Sequence, residues 1–246
     1  MSWCRNGFTL LEILVVVTLI GVLSGLGAMG FQKVREGARK AECISGLRQL
    51  GAATELYKAD HGGDYFPYVQ YTEEGRTWFF GFEPRNRSAE GDRALDRTLG
   101  PLFDYLQEVG EVEICPSFRY DAEHFSPKFA GASFGYGYNW WLGGKWRGQP
   151  VVSQFRIEDP ARTIVFGDCA QVKPFGGQGI EEFYIIDERE VTVHFRHNKK
   201  ANFLFADGHI ESFSPYPGTI DSRSQEELIG RITPVGSTKY LGHGDD

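Results

Sequence analysis

The chain has 246 residues, of which 41% are hydrophobic and 24% charged, and its formal net charge is −7. This length suits one sizeable domain or two small ones, and 19 Phe, 11 Tyr and 5 Trp can fill a substantial core. The acidic balance argues against nucleic acid as a partner, because nucleic-acid binding requires basic patches.

The most apolar stretch lies near the N-terminus and runs from Phe8 to Phe31. As a helix rising ~1.5 Å per residue it would be roughly 36 Å long, which is enough to cross a bilayer. Its single ionisable side chain is Glu12. A carboxylate inside a membrane is costly and suggests a function with a partner, whereas one this close to the segment's start could also reach the interface. Energetics alone leave both interpretations open.

The residues that lead into this segment are Gly7-Phe8-Thr9-Leu10-Leu11-Glu12. They resemble the processing site of type IV prepilins, in which a short basic leader ends in Gly and a Glu follows the aromatic residue by four positions. The resemblance implies cleavage by prepilin peptidase between Gly7 and Phe8, and N-methylation of Phe8. It also implies a partner for Glu12, the α-ammonium group of Phe8 on a neighbouring subunit. A secretory signal, the competing interpretation, is cleaved after its apolar region, which here would be retained.

The helix is predicted to continue beyond the apolar segment. Residues 32–58 contain no proline, and residues such as Leu47, Leu50, Thr54 and Tyr57 recur at spacings of three and four. The predicted organisation is therefore a leader over 1–7, a transmembrane and assembly helix over 8–31, an amphipathic continuation over 32–58 and a β-rich head over 59–246.

Charge gives a conflicting indication of topology. Four basic residues follow the apolar segment and only Arg5 precedes it, so the positive-inside rule would place the head in the cytoplasm. The prepilin resemblance implies a cytoplasmic leader, and acidic residues intersperse the basic ones. We therefore predict a single-pass protein of the inner, cytoplasmic membrane with its C-terminal head outside the cytoplasm. A filament on the cell surface is a further location compatible with this topology.

Cysteine usage leaves two alternatives. Cleavage of the leader would remove Cys4. No two of the remaining cysteines have the short sequence spacing typical of zinc ligands; these cysteines are Cys43, Cys115 and Cys169. One alternative is a disulfide between Cys43 and Cys115 that ties the helix to the head in an oxidising compartment. The other is three buried, inert thiols.

Between residues 59 and 200 the chain reads as short strands and long loops. The run Tyr136-Gly137-Tyr138-Asn139 sits in a stretch that alternates glycine with aromatic residues. Such a run could stack on sugar or peptide, but more often it is a strand whose glycines let rings pack across a sheet, so the strand is favoured. The resemblance to prepilin-like proteins implies the same, because members of that family carry a comparable Tyr-Gly-Tyr-Asn stretch.

Near the C-terminus, His197 is followed after nine residues by Asp207-Gly208. This spacing resembles the H-x9-DG signature of a pilin-like subset that is large in planctomycetes. An Asp-Gly dipeptide between two β-prone arms predicts a hairpin with a type I′ turn. The turn alone is therefore a sufficient reason for Asp207-Gly208 at this place in the sequence.

The histidine of the signature has a less obvious role. His194, His197 and His209, with Asp168 and Asp207 as neighbours, allow a metal site or a general-base pair to be imagined. His194 and His197 would face opposite sides of a strand, and no activated nucleophile is evident. We predict a structural histidine, no catalytic residue and no bound metal or cofactor, and leave a structural calcium ion as the alternative.

The predicted fold is α+β and pilin-like: a long N-terminal helix packed on an antiparallel β-rich head. The predicted function is a non-enzymatic pilin-like or pseudopilin subunit whose partners are prepilin peptidase, the membrane and other pilin-like subunits. The alternative is a membrane-anchored surface module or hydrolase with a sugar- or metal-binding head. The sequence does not distinguish a pilus from a secretion pseudopilus or an uptake role.

Overall fold

The structure is a computed structural model that describes residues 9–85, 88–89, 91–109, 114–120, 125–130, 135–144, 149–173, 179–187 and 189–242. In the first helix, the side chains of residues 25–30 and 32 are also outside the described set. The fold is α+β, with one long helix followed by a head of short strands. Gly7 and Phe8, the predicted processing residues, lie outside the described residues.

The described elements are two α-helices, thirteen strands and four 3-10 helices. The α-helices are α1 (Leu10–Asp60) and α2 (Phe103–Val109). The strands are β1 (Val69–Tyr71), β2 (Gly75–Trp78), β3 (Gly81–Pro84), β4 (Phe125–Ser126), β5 (Tyr136–Asn139), β6 (Ile164–Asp168), β7 (Gln171–Val172), β8 (Ile180–Glu181), β9 (Ile185–Ile186), β10 (Val193–His194), β11 (Ala201–Phe205), β12 (Ile210–Phe213) and β13 (Ile229–Gly230). The 3-10 helices are Arg97–Leu99, Gln154–Arg156, Pro160–Arg162 and Gln225–Glu227.

Helix α1 is continuous over 51 residues, as the proline-free sequence predicts. It ends where Gly62 and Gly63 adopt positive φ angles of 66° and 92°. The backbone N–H of Gly63 donates to the Lys58 carbonyl at 2.8 Å and satisfies one of the last carbonyls of the helix. The chain then turns back into the head.

The main sheet has five strands in the order β12-β11-β6-β5-β9. Three of its pairings are antiparallel, but β5 and β9 are parallel, and β4 and β8 are also parallel in a separate sheet. The predicted antiparallel head is therefore wrong in this respect. Strand β9 returns to β5 only after three intervening strands, and a crossover of that length permits the parallel direction.

The second half of α1 packs against this sheet. Leu47 and Leu50 are fully buried, and both belong to the main hydrophobic core. A Cβ atom at Gly51 would lie 3.1 Å from Leu204 Cδ2 on β11. Glycine at this position therefore lets the helix approach the sheet closely, and the amphipathic stripe predicted from the sequence is the face that makes contact.

The glycine–aromatic run forms β5 inside the core. Tyr136 and Tyr138 are fully buried, and the Tyr138 hydroxyl donates to the Phe66 carbonyl at 3.1 Å. Gly137 pairs with Gly167 of β6, where a Cβ atom would lie 2.3 Å from a ring carbon of Phe203. The run is a core strand, which confirms the packing interpretation over a sugar-binding face.

The predicted Asp-Gly hairpin joins β11 and β12, but its turn type differs from the prediction. Gly208 has a φ of 88°, and Asp207 is not among the residues with positive φ. Phe205 exchanges backbone hydrogen bonds with His209 and Gly208, which gives a three-residue loop ending in a left-handed glycine. The type I′ prediction was wrong because the carboxylate of Asp207 accepts the His209 N–H and favours the longer loop.

Positive φ at both central residues occurs instead at Asn198 and Lys199, with angles of 50° and 61°. His197 and Lys200 flank this turn and exchange backbone hydrogen bonds of 2.9 and 3.0 Å. This tight turn fixes the backbone of His197 immediately before β11. The histidine of the C-terminal signature thereby lies at the start of β11, an inner strand of the main sheet.

Candidate functional site

The N-terminal half of α1 exposes its apolar side chains. Among the described residues from Leu10 to Leu23 the large apolar side chains range from 47% exposed at Val15 to 86% at Leu10. They lie on all sides of the helix rather than on one stripe. Within the described part of the chain, no helix reaches the combination of length and apolarity that a membrane span requires.

Glu12 and Thr9 form a capping box at the start of α1. The Glu12 N–H donates to Thr9 Oγ1 at 3.3 Å, and the Thr9 N–H and hydroxyl both donate to Glu12 Oε2 at 2.8 Å. Each residue therefore satisfies a backbone N–H that the helix start leaves without a partner. Glu12 thus has a local structural role in addition to any role in assembly.

A buried cluster of potential metal ligands lies where α1 meets the head. It consists of Cys43 on α1, Cys115, Asp168 at the end of β6 and His197 before the Asn198–Lys199 turn. One donor atom of each residue lies within 4.8 Å of the others, and all four residues are buried. We call this set the Cys43 cluster.

The measured contacts link these residues in a chain. Cys43 Sγ lies 3.2 Å from Asp168 Oδ1, and Cys115 Sγ lies 3.4 Å from His197 Nε2. His197 Nε2 lies 3.5 Å from Asp168 Oδ2. The other ring nitrogen of His197, Nδ1, faces away from the cluster and lies 3.5 Å from Glu36 Oε1.

Arg196 supports the cluster from one side. Its Nη2 donates to Asp168 Oδ1 at 2.7 Å and to the Gly135 carbonyl, and its guanidinium lies over the Phe118 ring at 4.6 Å. Both members of this ion pair are almost completely buried. Such a pair is retained only when further hydrogen bonds compensate the loss of water, and Asn202 supplies one by donating its N–H to Asp168 Oδ2.

The surroundings shift the acid–base properties of the cluster. Burial opposes ionisation of Asp168, but Arg196 and His197 hold its pKa well below the usual range. Burial likewise opposes ionisation of Cys115, but hydrogen bonding with Cys43 and the charge of Arg196 lower its pKa to about 5. Burial raises the pKa of the Cys43 thiol well above its usual value, and Cys115 and Asp168 add to that effect. A negative charge on Asp168 or on Cys115 therefore makes ionisation of the neighbouring Cys43 thiol less favourable.

In the structure Cys43 and Cys115 are free buried thiols, rather than the disulfide that was one of the two alternatives. Each sulfur instead faces a polar partner, Asp168 for Cys43 and His197 for Cys115. The two cysteines do meet as the prediction required, and they meet as part of a four-residue set. Cys169, the third predicted thiol, is buried elsewhere and contacts the Ile185 carbonyl.

The remaining sequence candidates do not join the cluster. The Nδ1 atom of His194 lies 3.3 Å from an Arg196 nitrogen, and burial followed by the Arg196 charge lowers the pKa of this histidine. Asp207 and His209 form an exposed pair at 2.6 Å on the hairpin. Of the five metal candidates drawn from the sequence, only Asp168 and His197 belong to the Cys43 cluster.

Sequence reasoning missed the two cysteines as ligands. The four residues come from positions 43, 115, 168 and 197, so no short motif joins them. The available signal was the combination of two unpaired cysteines with a histidine that lacked an explanation. Only the packing of α1 on the sheet makes them neighbours.

Comparison with known protein families gives a match at the N-terminus. Residues 4–28 match the family model described as the prokaryotic N-terminal methylation motif. The chain carries a prepilin-type N-terminal segment. This match covers the predicted processing residues and Glu12, and it confirms the resemblance seen in the sequence.

The prepilin-type segment is also shared with curated relatives. The chain is 40% identical over 57 residues to the type II secretion system core protein G of Escherichia coli, covering 23% of this chain and 39% of the relative. It is 34% identical over 92 residues to the protein of the same name from Pectobacterium carotovorum, covering 35% and 56%. The chain therefore spans about half, or less, of the length of these relatives, and this region is homologous to theirs.

No solved structure matches the chain significantly. The family model ends at residue 28. The resemblance of His197 and Asp207-Gly208 to the H-x9-DG signature therefore stays a prediction.

Proposed function

We propose that this chain is a non-enzymatic pilin-like subunit of a pseudopilus or secretion-type filament. One observation supports the proposal most strongly. The methylation motif lies at the N-terminal end of α1, and this unbroken helix packs with its second half against the β-rich head. Homology to core protein G of type II secretion systems favours a secretion pseudopilus among the filament types. Prepilin peptidase and other pilin-like subunits are the partners that this function requires.

The N-terminal half of the helix would be the membrane and assembly segment. Its described apolar side chains are exposed on all sides, and a helix that is apolar all round is suited to lipid or to a helical bundle. The proposal of a single membrane pass rests on the composition of residues 8–31, part of which lies outside the described residues. The head would lie outside the cytoplasm.

Glu12 would pair with the α-ammonium group of Phe8 on a neighbouring subunit. Both hydrogen bonds from Thr9 reach Oε2 of Glu12. Oε1 makes no hydrogen bond among the described residues, so it is available to an intermolecular cation. The same carboxylate can therefore cap its own helix and neutralise the next subunit's N-terminus.

Mass spectrometry of the N-terminal peptide tests processing. Protein extracted from membranes is expected to begin at Phe8 and to carry one methyl group on its α-amino nitrogen. An intact Met1 would contradict the proposal, as would a cleavage site after the apolar segment.

A set of three variants separates the assembly role of Glu12 from its capping role. Glu12→Gln retains a capping-box residue but removes the charge, whereas Thr9→Ala removes the cap and retains the charge. We expect Glu12→Gln and Glu12→Val to be cleaved normally and to enter filaments poorly, and Thr9→Ala to assemble almost normally. If Glu12→Gln assembles normally while Thr9→Ala and Glu12→Val both fail, capping is the role and the pairing is wrong.

The alternative of a sugar-binding or hydrolytic head is not favoured. The aromatic run that suggested stacking on sugar lies in the core, where Tyr136 and Tyr138 are fully buried. The curated matches are to a secretion system protein. A non-enzymatic role is therefore the better proposal.

A further inference from the structure

We propose that Cys43, Cys115, Asp168 and His197 bind one divalent transition-metal ion of the zinc class, and that this ion fastens the helix to the head. The proposal concerns the head and does not depend on the assembly role of the N-terminal segment. Two thiolates, one imidazole and one carboxylate form a complete four-ligand set for a tetrahedral ion.

The separations between the donor atoms fit such an ion. Zinc bonds of ~2.3 Å to sulfur and ~2.0–2.1 Å to nitrogen or oxygen place tetrahedral ligand atoms about 3.3–3.8 Å apart. The three contacts within the cluster are 3.2, 3.4 and 3.5 Å, so two lie in this range and one is about 0.1 Å shorter. All four donor atoms lie within 4.8 Å of one another, so small movements bring each within bonding distance of one centre.

The orientation of His197 matches that of a metal-bound histidine. Nε2 points into the cluster, and Nδ1 lies 3.5 Å from Glu36 Oε1 on α1. Nδ1 is buried and makes no hydrogen bond among the described residues. Metal-bound histidines commonly direct their second nitrogen at a carboxylate, which fixes the tautomer and strengthens the ligand. A slight shortening of the contact with Glu36 would complete that arrangement.

Two side-chain donors lie near Cys43 Sγ. The Tyr136 hydroxyl lies 3.5 Å from this sulfur and 3.3 Å from the Cys43 carbonyl oxygen, and the Asn202 side-chain N–H donates toward the sulfur at 3.8 Å. Once an ion has displaced the thiol proton, these donors would hold the ligating sulfur in place.

A divalent ion would also balance the charge of the site. Two thiolates and the Asp168 carboxylate carry three negative charges, which the Arg196 guanidinium and a divalent ion offset completely.

The donor set also selects the kind of ion. Calcium prefers six to eight oxygen ligands, and this cluster offers a single carboxylate residue and two sulfurs. All four positions are filled by buried side chains, which is typical of a structural rather than a catalytic zinc site. The ligands belong to α1, the segment that follows α2, the end of β6 and the turn before β11. One ion would therefore join the helix to three separate parts of the head.

Metal analysis of the full-length protein, purified in mild detergent without chelators, tests the proposal directly. We expect about one zinc ion per chain, and substitution by cobalt to give the visible absorption of a tetrahedral thiolate complex. Removal of the metal with a chelator is expected to lower Tm, because the ion binds the folded chain. Both Cys43 and Cys115 should then be alkylated as free thiols once the metal-free protein is denatured, because both are buried in the folded chain.

Variants distinguish ligands from neighbours. Cys115→Ser and His197→Ala are expected to lose the metal, whereas Cys169→Ala removes a buried cysteine outside the cluster and should keep it. Glu36→Gln is expected to weaken metal affinity about 10–100-fold through its contact with His197. The exposed Glu42→Gln on the same helix is the matched control. If the ligand variants fail to fold, the metal content and cobalt spectrum of the unmodified protein still decide the question.

Three results would overturn the proposal. The first is folded protein that contains no transition metal and gives no tetrahedral cobalt spectrum. The second is calcium as the bound ion. The third is an intact mass lower by two hydrogens with Cys43 and Cys115 resistant to alkylation in denaturant, which would establish a disulfide in place of the metal.

Discussion

Protonation or removal of the Glu83 carboxylate should destabilise the first part of the head. Glu83 on β3 is buried and accepts five hydrogen bonds, two from Arg76, two from Arg93 and one from the Trp78 indole. Burial opposes its ionisation, but these donors lower the pKa of Glu83 to about 2. The carboxylate therefore holds together two arginines that would otherwise face each other.

The magnitude follows from two independent routes. A drop in pKa from 4.5 to about 2 corresponds to roughly 3 kcal/mol of stability. Because the Arg76 side chain is 35% exposed, solvent screening reduces this to about 2 kcal/mol. Breaking a buried ion pair by removing one partner costs about 3–5 kcal/mol. Glu83→Gln is thus expected to lower the free energy of unfolding by about 2–4 kcal/mol at pH 7.

The pH dependence has a definite sign. The pKa of Glu83 is lower in the folded state than in the unfolded state, so its contribution is fully present above about pH 4.5 and is lost as the pH falls toward 2. Urea unfolding followed by tryptophan fluorescence at pH 7, 5 and 3 measures it, and Trp78 is a local probe. The difference between the unmodified protein and Glu83→Gln should shrink between pH 5 and pH 3.

Glu73→Gln, at an exposed position in the preceding turn, is the control and should change stability little. A Glu83→Gln variant as stable as this control at pH 7 would refute the reasoning. So would a difference between Glu83→Gln and the unmodified protein that stays constant down to pH 3.

Three further changes test the packing of the head, each by denaturant unfolding. Gly167→Ala should cost about 1–3 kcal/mol or more, because the new Cβ would lie 2.3 Å from the Phe203 ring, and an unchanged midpoint would contradict that contact. Leu47→Ala should cost about 2–5 kcal/mol, since this fully buried side chain joins α1 to the head, whereas the exposed Arg48→Ala should have little effect. Lys199→Gly should raise stability by about 0.5–1 kcal/mol, because the φ of 61° strains a residue with a side chain; a loss of stability would show that the turn is not strained there.

The local elements could be read from the sequence. A stretch without proline, in which residues such as Leu47, Leu50 and Thr54 recur at spacings of three and four, predicts one long helix, and one is present. The hairpin around Asp207-Gly208 and the core strand at Tyr136–Asn139 were likewise predictable. In each case the pattern that decides the structure lies within a few residues of the element it forms.

The turn geometry and strand directions could not be read in the same way. Asp207-Gly208 forms a three-residue loop, and the turn with two left-handed residues falls at Asn198–Lys199, which lacks the glycine expected there. The parallel pairing of β5 with β9 depends on where the intervening strands lie in the head. These features depend on competing hydrogen bonds and on packing, and the secondary-structure propensities of individual residues do not predict either.

The sequence by itself determined the N-terminal processing motif, the position of Glu12 and the extent of the helix, because all three are encoded by adjacent residues. Only the tertiary structure decided that Cys43, Cys115, Asp168 and His197 meet, because contacts between residues so far apart depend on how α1 packs on the main sheet. The unpaired cysteines and the unexplained histidine were visible separately in the sequence. Their proximity in the folded chain is what makes a metal site a testable proposal.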